Sequence, residues 1–384
     1  MKKVLFYIRE CFGGGVEKIL LEYVEKMDKE RFDITIMVRR KNGAFLDRFE
    51  KLEEDGVHFR NTFDYLKPGK NVFQKLYNVV ISKLGDLCEF RFPSVFYRLA
   101  IKEKYDAEIA FIHNEAASII ASSPNRHSLK LMWVHTDLRR ITTWKRYFRT
   151  RKRQKKFFEK FDHCICVSNL AKDALKDLLD VDKNVRVIHN PVDHQTVTKL
   201  SESYMPFEKS DMMTVCSVGR LSFEKNYGML LDVHAKLIKN GFLHRLYIVG
   251  DGPEKQMLCE KIKTLGVEDT AVLAGFKENP YPYVKNSDLF VCSSVYEGFP
   301  TAVQEALILK KTIVSSCAVV KENFGKYECG IITENTPEGL YEGMVKMLTD
   351  KEAYAFYQKE SEKRSEELKT NTCIKEVEDL ILQG

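Results

Sequence analysis

Several things are missing from this 384-residue sequence, and each absence narrows what it can be. No uninterrupted apolar stretch approaches the roughly 18 residues that a spanning helix needs, so no bilayer crossing is expected. The opening residues offer only the apolar run Val4 to Ile8 before Arg9 and Glu10, too short for the apolar core of an export signal. None of the ten cysteines forms a CxxC pair and several lie in strand-like apolar runs, which points to buried thiols in a reducing cytoplasm rather than to a disulfide or zinc framework. There is no low-complexity tract and no repeat of roughly 20 to 50 residues, so solenoids and propellers are excluded. The one clear D-x-D, Asp180-Val181-Asp182, follows the helix-like run Ala171 to Leu179 instead of a strand, and reads as a loop feature. No metal site is expected.

What is present describes two domains of ordinary size, with 44% hydrophobic residues. The net charge of +6 hides an asymmetry. Residues 1 to 195 hold 38 basic against 27 acidic side chains, and the remainder 23 against 28. The first part therefore favours an anionic partner. Short apolar runs alternate with amphipathic ones throughout, the pattern of doubly wound parallel sheets. Strands are expected near Val4–Ile8, Asp33–Val38, Ala107–Ile112, Leu129–Val134, His163–Val167 and Val185–Ile188, and the polar stretch from Thr196 to Asp211 reads as a linker. The pattern then restarts at Thr214–Val218, Arg245–Val249, Thr270–Ala274, Asp288–Cys292 and Thr312–Ser315. This gives domains at 1–195 and 196–365, with a charged helical segment at 366–384 expected to pack back on the first.

The candidate chemistry lies at strand ends. Gly13-Gly14-Gly15 follows the first strand and opens a helix, where backbone amides can approach a phosphate, although the spacing is not that of a dinucleotide site. Gly219-Arg220-Leu221-Ser222-Phe223-Glu224-Lys225 places two cations at the carboxyl end of the first strand of the second domain, the ligand-binding edge of open parallel sheets. The next strand ends in the turn Gly250-Asp251-Gly252-Pro253-Glu254. Downstream, Glu297-Gly298-Phe299-Pro300-Thr301-Ala302 leads into a helix that carries Glu305, and Thr301 with Gln304 suggests a capping box. A carboxylate before a helix and another in its early turns can accept hydrogen bonds from the vicinal hydroxyls of a sugar and a ribose. Each glutamate taken alone could equally be an exposed charge at a helix end.

In that order and architecture these motifs resemble the retaining two-domain (GT-B) glycosyltransferases of family 4, the glycosyl transferases group 1. The resemblance spans most of the chain and is strongest from Thr214 to about Gly330. It implies an α/β fold of two Rossmann-like doubly wound domains facing across a cleft. By it, Arg220 and Lys225 hold the diphosphate of a nucleotide sugar, Glu297 the donor sugar and Glu305 the ribose, while Gly14, Gly15, Gly219, Gly250, Gly298, Phe299, Thr301 and Ala302 line the donor site. The base would be read around Gly275-Phe276-Lys277, with uridine diphosphate as the nucleotide. His135 in Trp133-Val134-His135-Thr136-Asp137 stands where the family has a histidine that reaches the donor sugar. It joins Glu297, Arg220 and Lys225 as a catalytic candidate, with Asp137 beside it. His113 and Asn114 could line the acceptor side. Pro300 departs from the glycine often found there and removes one amide donor. The resemblance further implies retention of configuration and transfer that needs no metal.

Residues Arg139 to Lys160 contain eleven basic side chains and one acid, Glu159, interleaved with Trp144, Tyr147, Phe148, Phe157 and Phe158. That composition suits a helix on an anionic membrane, and no nucleic-acid-binding motif accompanies it. The expected enzyme is thus cytoplasmic, peripheral on the inner face of the membrane, and acts on a glycan or lipid-linked acceptor. A sugar-nucleotide epimerase on the same architecture, or a silent donor-binding subunit of a transferase complex, are the alternatives.

Overall fold

The computed structural model describes residues 1–11, 14–62, 83, 85, 87–182, 184–208, 211–370 and 372–384. Its contacts divide the chain into two compact units, Met1–Pro191 with Thr372–Gly384, and Val192–Asn371. The first unit is built on a parallel sheet of β1 (Lys2–Ile8), β2 (Phe32–Val38), β3 (His58–Asn61), β4 (Ala107–Ala110), β5 (Leu129–Val134), β6 (His163–Cys166) and β7 (Val185–Val187), in the order β3-β2-β1-β4-β5-β6-β7. The second is built on β8 (Met213–Val218), β9 (His244–Val249), β10 (Ala271–Gly275), β11 (Leu289–Cys292), β12 (Thr312–Ser315) and β13 (Gly330–Ile332), in the order β10-β9-β8-β11-β12-β13. Each is an α/β unit with a doubly wound sheet. Winding reverses between β1 and β4 in one and between β8 and β11 in the other, and such reversals open the crevices where ligands bind.

The apolar runs form strands because both faces of each sheet are covered: Val4 to Ile8 and Leu289 to Cys292 are buried throughout. In the helix Gly15–Lys26 the residues Ile19, Leu20, Tyr23 and Val24 turn inward at helical spacing. The helix Cys373–Gln383 belongs to the first unit, where the Asp28 amide donates to Glu378 Oε1 at 2.8 Å. Residues 196–200, expected as the start of the linker, lie instead in the helix His194–Leu200. The Asp193 carboxylate caps it by accepting from the Gln195 amide at 3.0 Å, and Val197 packs inward.

Candidate active site

In the second unit the site grows out of the β8–β11 reversal. After β8 the chain makes a short 3-10 turn, Phe223–Lys225, and after β11 it runs through Ser293 and Ser294 to Glu297. These two loops are stitched together. The Val295 amide donates to the Glu224 carbonyl at 2.8 Å, and the Ser293 hydroxyl to the Lys225 carbonyl at 2.8 Å. Lys225 Nζ then lies 2.5 Å from Glu297 Oε1, and the Ser294 hydroxyl donates to the same oxygen at 2.7 Å. Burial works against the Lys225 ammonium, but Glu297 at contact distance outweighs it and holds the amine above the ordinary lysine range. Arg220 remains exposed on the same loop.

The glycines of these loops are there because backbones touch. Gly250 has φ +152°, and a Cβ on it would stand 1.9 Å from the Gly219 carbonyl oxygen. On Gly219 a Cβ would meet the Tyr227 hydroxyl at 2.8 Å and Lys225 Cε at 3.1 Å. At the end of β10, Phe276 is 63% exposed, while Lys277 Nζ turns over the Tyr283 ring at 5.9 Å.

The helix Thr301–Ile308 begins directly after Pro300, whose ring cannot supply a side-chain cap, so the expected capping box is absent. This leaves the first amides of the helix, from Thr301 and Ala302 onward, without a capping side chain. Gly298 and Phe299 are buried; Thr301 and Ala302 are half-buried. Glu305 is only 5% exposed, with the Tyr281 hydroxyl 3.4 Å from its Oε1. An exposed charge at a helix end is excluded for it.

In the first unit His135 follows β5, and its Nε2 lies 3.0 Å from the Phe111 carbonyl. A carbonyl only accepts, so Nε2 carries the proton and Nδ1 keeps its lone pair. Burial, reinforced by His113 and opposed by that carbonyl, pulls the imidazole down to about 3. His135 is therefore a neutral acceptor at physiological pH. Asp137 is not its partner: its Oδ1 accepts from Arg139 Nε at 2.8 Å and from the Arg139 amide at 2.9 Å. His113 is buried with neither ring nitrogen hydrogen-bonded, and burial takes it down to about 4. Asn114 Nδ2 donates to Thr143 Oγ1 at 3.1 Å.

At the first glycine loop, Gly13 lies outside the described residues. The Gly14 amide, expected to face a phosphate, donates to Glu17 Oε2 at 3.0 Å, and Gly15 is exposed. Burial holds the Glu17 carboxyl above its usual range despite that bond. Asp180 and Asp182 of the D-x-D are engaged by Lys155 at 2.7 Å and Lys176 at 3.1 Å.

Comparison with known proteins identifies the family. The family of glycosyl transferases group 1 matches residues 206–364, and Glycosyltransferase Family 4 matches residues 13–196. The chain is a GT-B glycosyltransferase of the family 4 type. It is 28% identical, over 95% of its own length and 95% of the other, to the N-acetylgalactosamine-N,N'-diacetylbacillosaminyl-diphospho-undecaprenol 4-alpha-N-acetylgalactosaminyltransferase of Campylobacter jejuni. It is also 27% identical, over 82% of itself and 79% of that protein, to the GalNAc-alpha-(1->4)-GalNAc-alpha-(1->3)-diNAcBac-PP-undecaprenol alpha-1,4-N-acetyl-D-galactosaminyltransferase of the same organism. Among solved structures, Anabaena HepE in complex with UDP and glucose has the same fold, with a TM-score of 0.74 at 18% identity and all of both chains covered.

In this glycosyltransferase, sequence reasoning passed over several residues that hold the site in place. Ser294 bonds Glu297, Tyr281 reaches Glu305, and Asn335 Nδ2 ties the Ser294 and Ser316 carbonyls together at 2.9 and 3.1 Å. The serine pair Ser293-Ser294, ending three residues before Glu297, was the available signal; Asn335 had none, being 41 residues from its partner. One expectation needs correction. Of the aromatics of 139–160, Tyr147, Phe148 and Phe158 are buried in the core of the first unit and Trp144 and Phe157 pack half-buried against it, so the expected exposed aromatic face does not form. The segment is two short helices, Trp144–Phe148 and Arg151–Phe158, rather than one amphipathic helix. Among the described residues no helix is long and apolar enough to cross a membrane.

Proposed function

We propose that this glycosyltransferase moves a sugar from a nucleoside diphosphate sugar, with UDP as the nucleotide, to a lipid-linked glycan at an anionic membrane surface on the cytoplasmic face. The observation that carries the reading is the Lys225–Glu297 pair at the β8–β11 reversal. Lys225 and Arg220 supply fixed positive charge where a diphosphate leaves, and the first amides of the helix Thr301–Ile308 add to it. On this reading the leaving charge is met by protein groups, and transfer needs no metal. Both contacts to Glu297 fall on Oε1, so Oε2 is available to accept from a sugar hydroxyl, and Glu305 serves the ribose. His135 presents Nδ1 as an acceptor at the end of β5.

Retention follows the family resemblance: the acceptor attacks from the face the nucleotide leaves, within an ion pair. The lipid-linked acceptor is supported by the undecaprenol-linked substrates in the names of the two Campylobacter relatives, and the nucleotide by the UDP in the Anabaena complex. Calorimetric titration of UDP, GDP and ADP sugars into the purified protein in EDTA tests the donor. Binding of the UDP sugar alone is expected. Preference for another base, or binding that appears only when manganese is restored, would overturn the corresponding part.

A further inference from the structure

Apart from Met1, the large apolar side chains that the first unit leaves exposed among its described residues all fall in one stretch of 13 positions: Leu87, Phe92, Val95 and Leu99, at 56, 53, 46 and 55%. Phe92 stands just before the helix Pro93–Ala100, and with Val95 and Leu99 it follows helical spacing along one side. The opposite side is anchored. Phe96 and Tyr97 are buried, the Tyr97 hydroxyl donates to Glu108 Oε1 at 2.9 Å, and the Arg39 guanidinium lies 5.6 Å from the Phe96 ring centre. Just upstream, the buried Glu89 carboxylate is held by Arg39 Nε at 3.4 Å and Arg9 Nε at 3.9 Å. The outward stripe is thus a fixed surface on a well-packed element. Contiguous exposed apolar side chains of this kind mark an interaction site.

The charges around the stripe indicate its partner. Arg91 and Arg98 are exposed on the same stretch. At one end Arg91, Arg153 and Lys160 line a groove of about 360 Å³ together with Phe92, with no acid among the described residues that line it. At the other end Leu99 borders a groove of about 500 Å³ where Glu103 is the single acid among the described lining residues, beside Arg60 and Lys102. We propose that this face seats the enzyme on an anionic bilayer, with Leu87, Phe92, Val95 and Leu99 entering the interface and the flanking arginines meeting lipid phosphates. A second copy of the chain fits it poorly, since a two-fold contact would set this cationic rim against itself. The membrane contact then lies at residues 87–99 and not at the aromatics of 139–160, of which Tyr147, Phe148 and Phe158 are buried. It deepens the reading of a lipid-linked acceptor, yet it is measured without one.

The test is flotation of the full-length protein with vesicles of phosphatidylcholine containing about 30% phosphatidylglycerol, against phosphatidylcholine alone. The wild type is expected to float with the anionic vesicles and to be released by salt. The combined variant Leu87→Ser, Phe92→Ser, Val95→Ser, Leu99→Ser should lower partitioning at least about 100-fold. Arg91→Glu with Arg98→Glu should remove the preference for anionic lipid. UDP-sugar binding serves as the control for folding and should be unchanged in both. Undiminished flotation of the serine variant would overturn the proposal. So would a wild-type dimer that the serine variant dissolves without loss of vesicle binding. Either result would leave the donor reading standing, whereas loss of UDP-sugar affinity in Lys225→Ala concerns the donor reading alone.

Discussion

Two donors converge on one oxygen of Glu297, and this decides how the site responds to substitution. On the proposed assignment, removing Lys225 takes a charge-assisted contact from the diphosphate and also leaves Glu297 without its cation, so Lys225→Ala should weaken UDP-sugar binding about 10- to 100-fold. Glu305→Ala should weaken it as well, through the ribose. Unchanged donor affinity in both variants, measured by calorimetry, would contradict the assignment. His135 behaves differently. With its imidazole held near 3 by burial, it is neutral from pH 5 to 9, so the kcat profile should carry no limb near 6.5 from this residue. His135→Ala should mainly lower kcat while leaving the donor Kd within about threefold, since it removes one positioned acceptor and no charge. A limb near 6.5 that disappears in His135→Ala would show that the histidine titrates during turnover.

At the scale of elements, another pair of histidines makes the second unit acid-sensitive. His234, on the helix Tyr227–Lys239, sets its Nδ1 2.9 Å from Nε2 of His244 at the start of β9, and its Nε2 3.0 Å from Thr270 Oγ1. His244 Nδ1 donates to the Phe242 carbonyl at 2.9 Å, so in the neutral pair His244 Nε2 accepts from His234 Nδ1 and both tautomers are set. Burial pulls His234 down to about 3, with His244 adding to it, and burial lowers His244 too. A folded-state value below the unfolded one means that the unfolded chain binds the proton first. Stability is then complete above about pH 6.5 and falls as the pH drops towards 3, by about 1.4 kcal/mol per unit from His234, with His244 acting in the same direction. Urea unfolding between pH 7 and 4 should show this slope, and His234→Leu should flatten it even if it starts less stable. An identical slope in the variant would refute the role. At this scale the sequence was legible where burial is two-sided. The inner strands, such as β1, β5, β8 and β11, announce themselves as apolar runs. The edge strand β3 does not, since in His58–Asn61 only Phe59 is buried, and β13 is three residues long. The capping box failed for a local reason, because proline and not threonine occupies the cap. Arg220, Lys225, Glu297 and Glu305 could be found because they lie in short motifs. Tyr281 and Asn335 could not, because their partners lie 24 and 41 residues away.

Across the whole molecule, two sheets of the same winding carry different surfaces. The basic excess lies in the first part of the chain, whose exposed apolar stripe and arginines suit an anionic partner, and the proposed donor site lies in the second. Strand–helix alternation made the fold class legible from sequence and the motifs of the second part the enzyme class, whereas the exposed apolar surface of the first part was not. Charge and aromatic content suggested residues 139–160, but only packing reveals that their rings point inward. The central claim is that the chain transfers a sugar through a donor site built on Lys225, Glu297 and Glu305. Its most direct test supplies the purified protein with a UDP sugar and an undecaprenyl-diphosphate-linked glycan in EDTA, and follows UDP release together with the mass of the lipid-linked product. UDP release matched by a one-sugar extension of the glycan, and abolished in Lys225→Ala with Glu305→Ala, is the predicted result. Turnover that persists in that double variant, or conversion of the donor without acceptor, would contradict it.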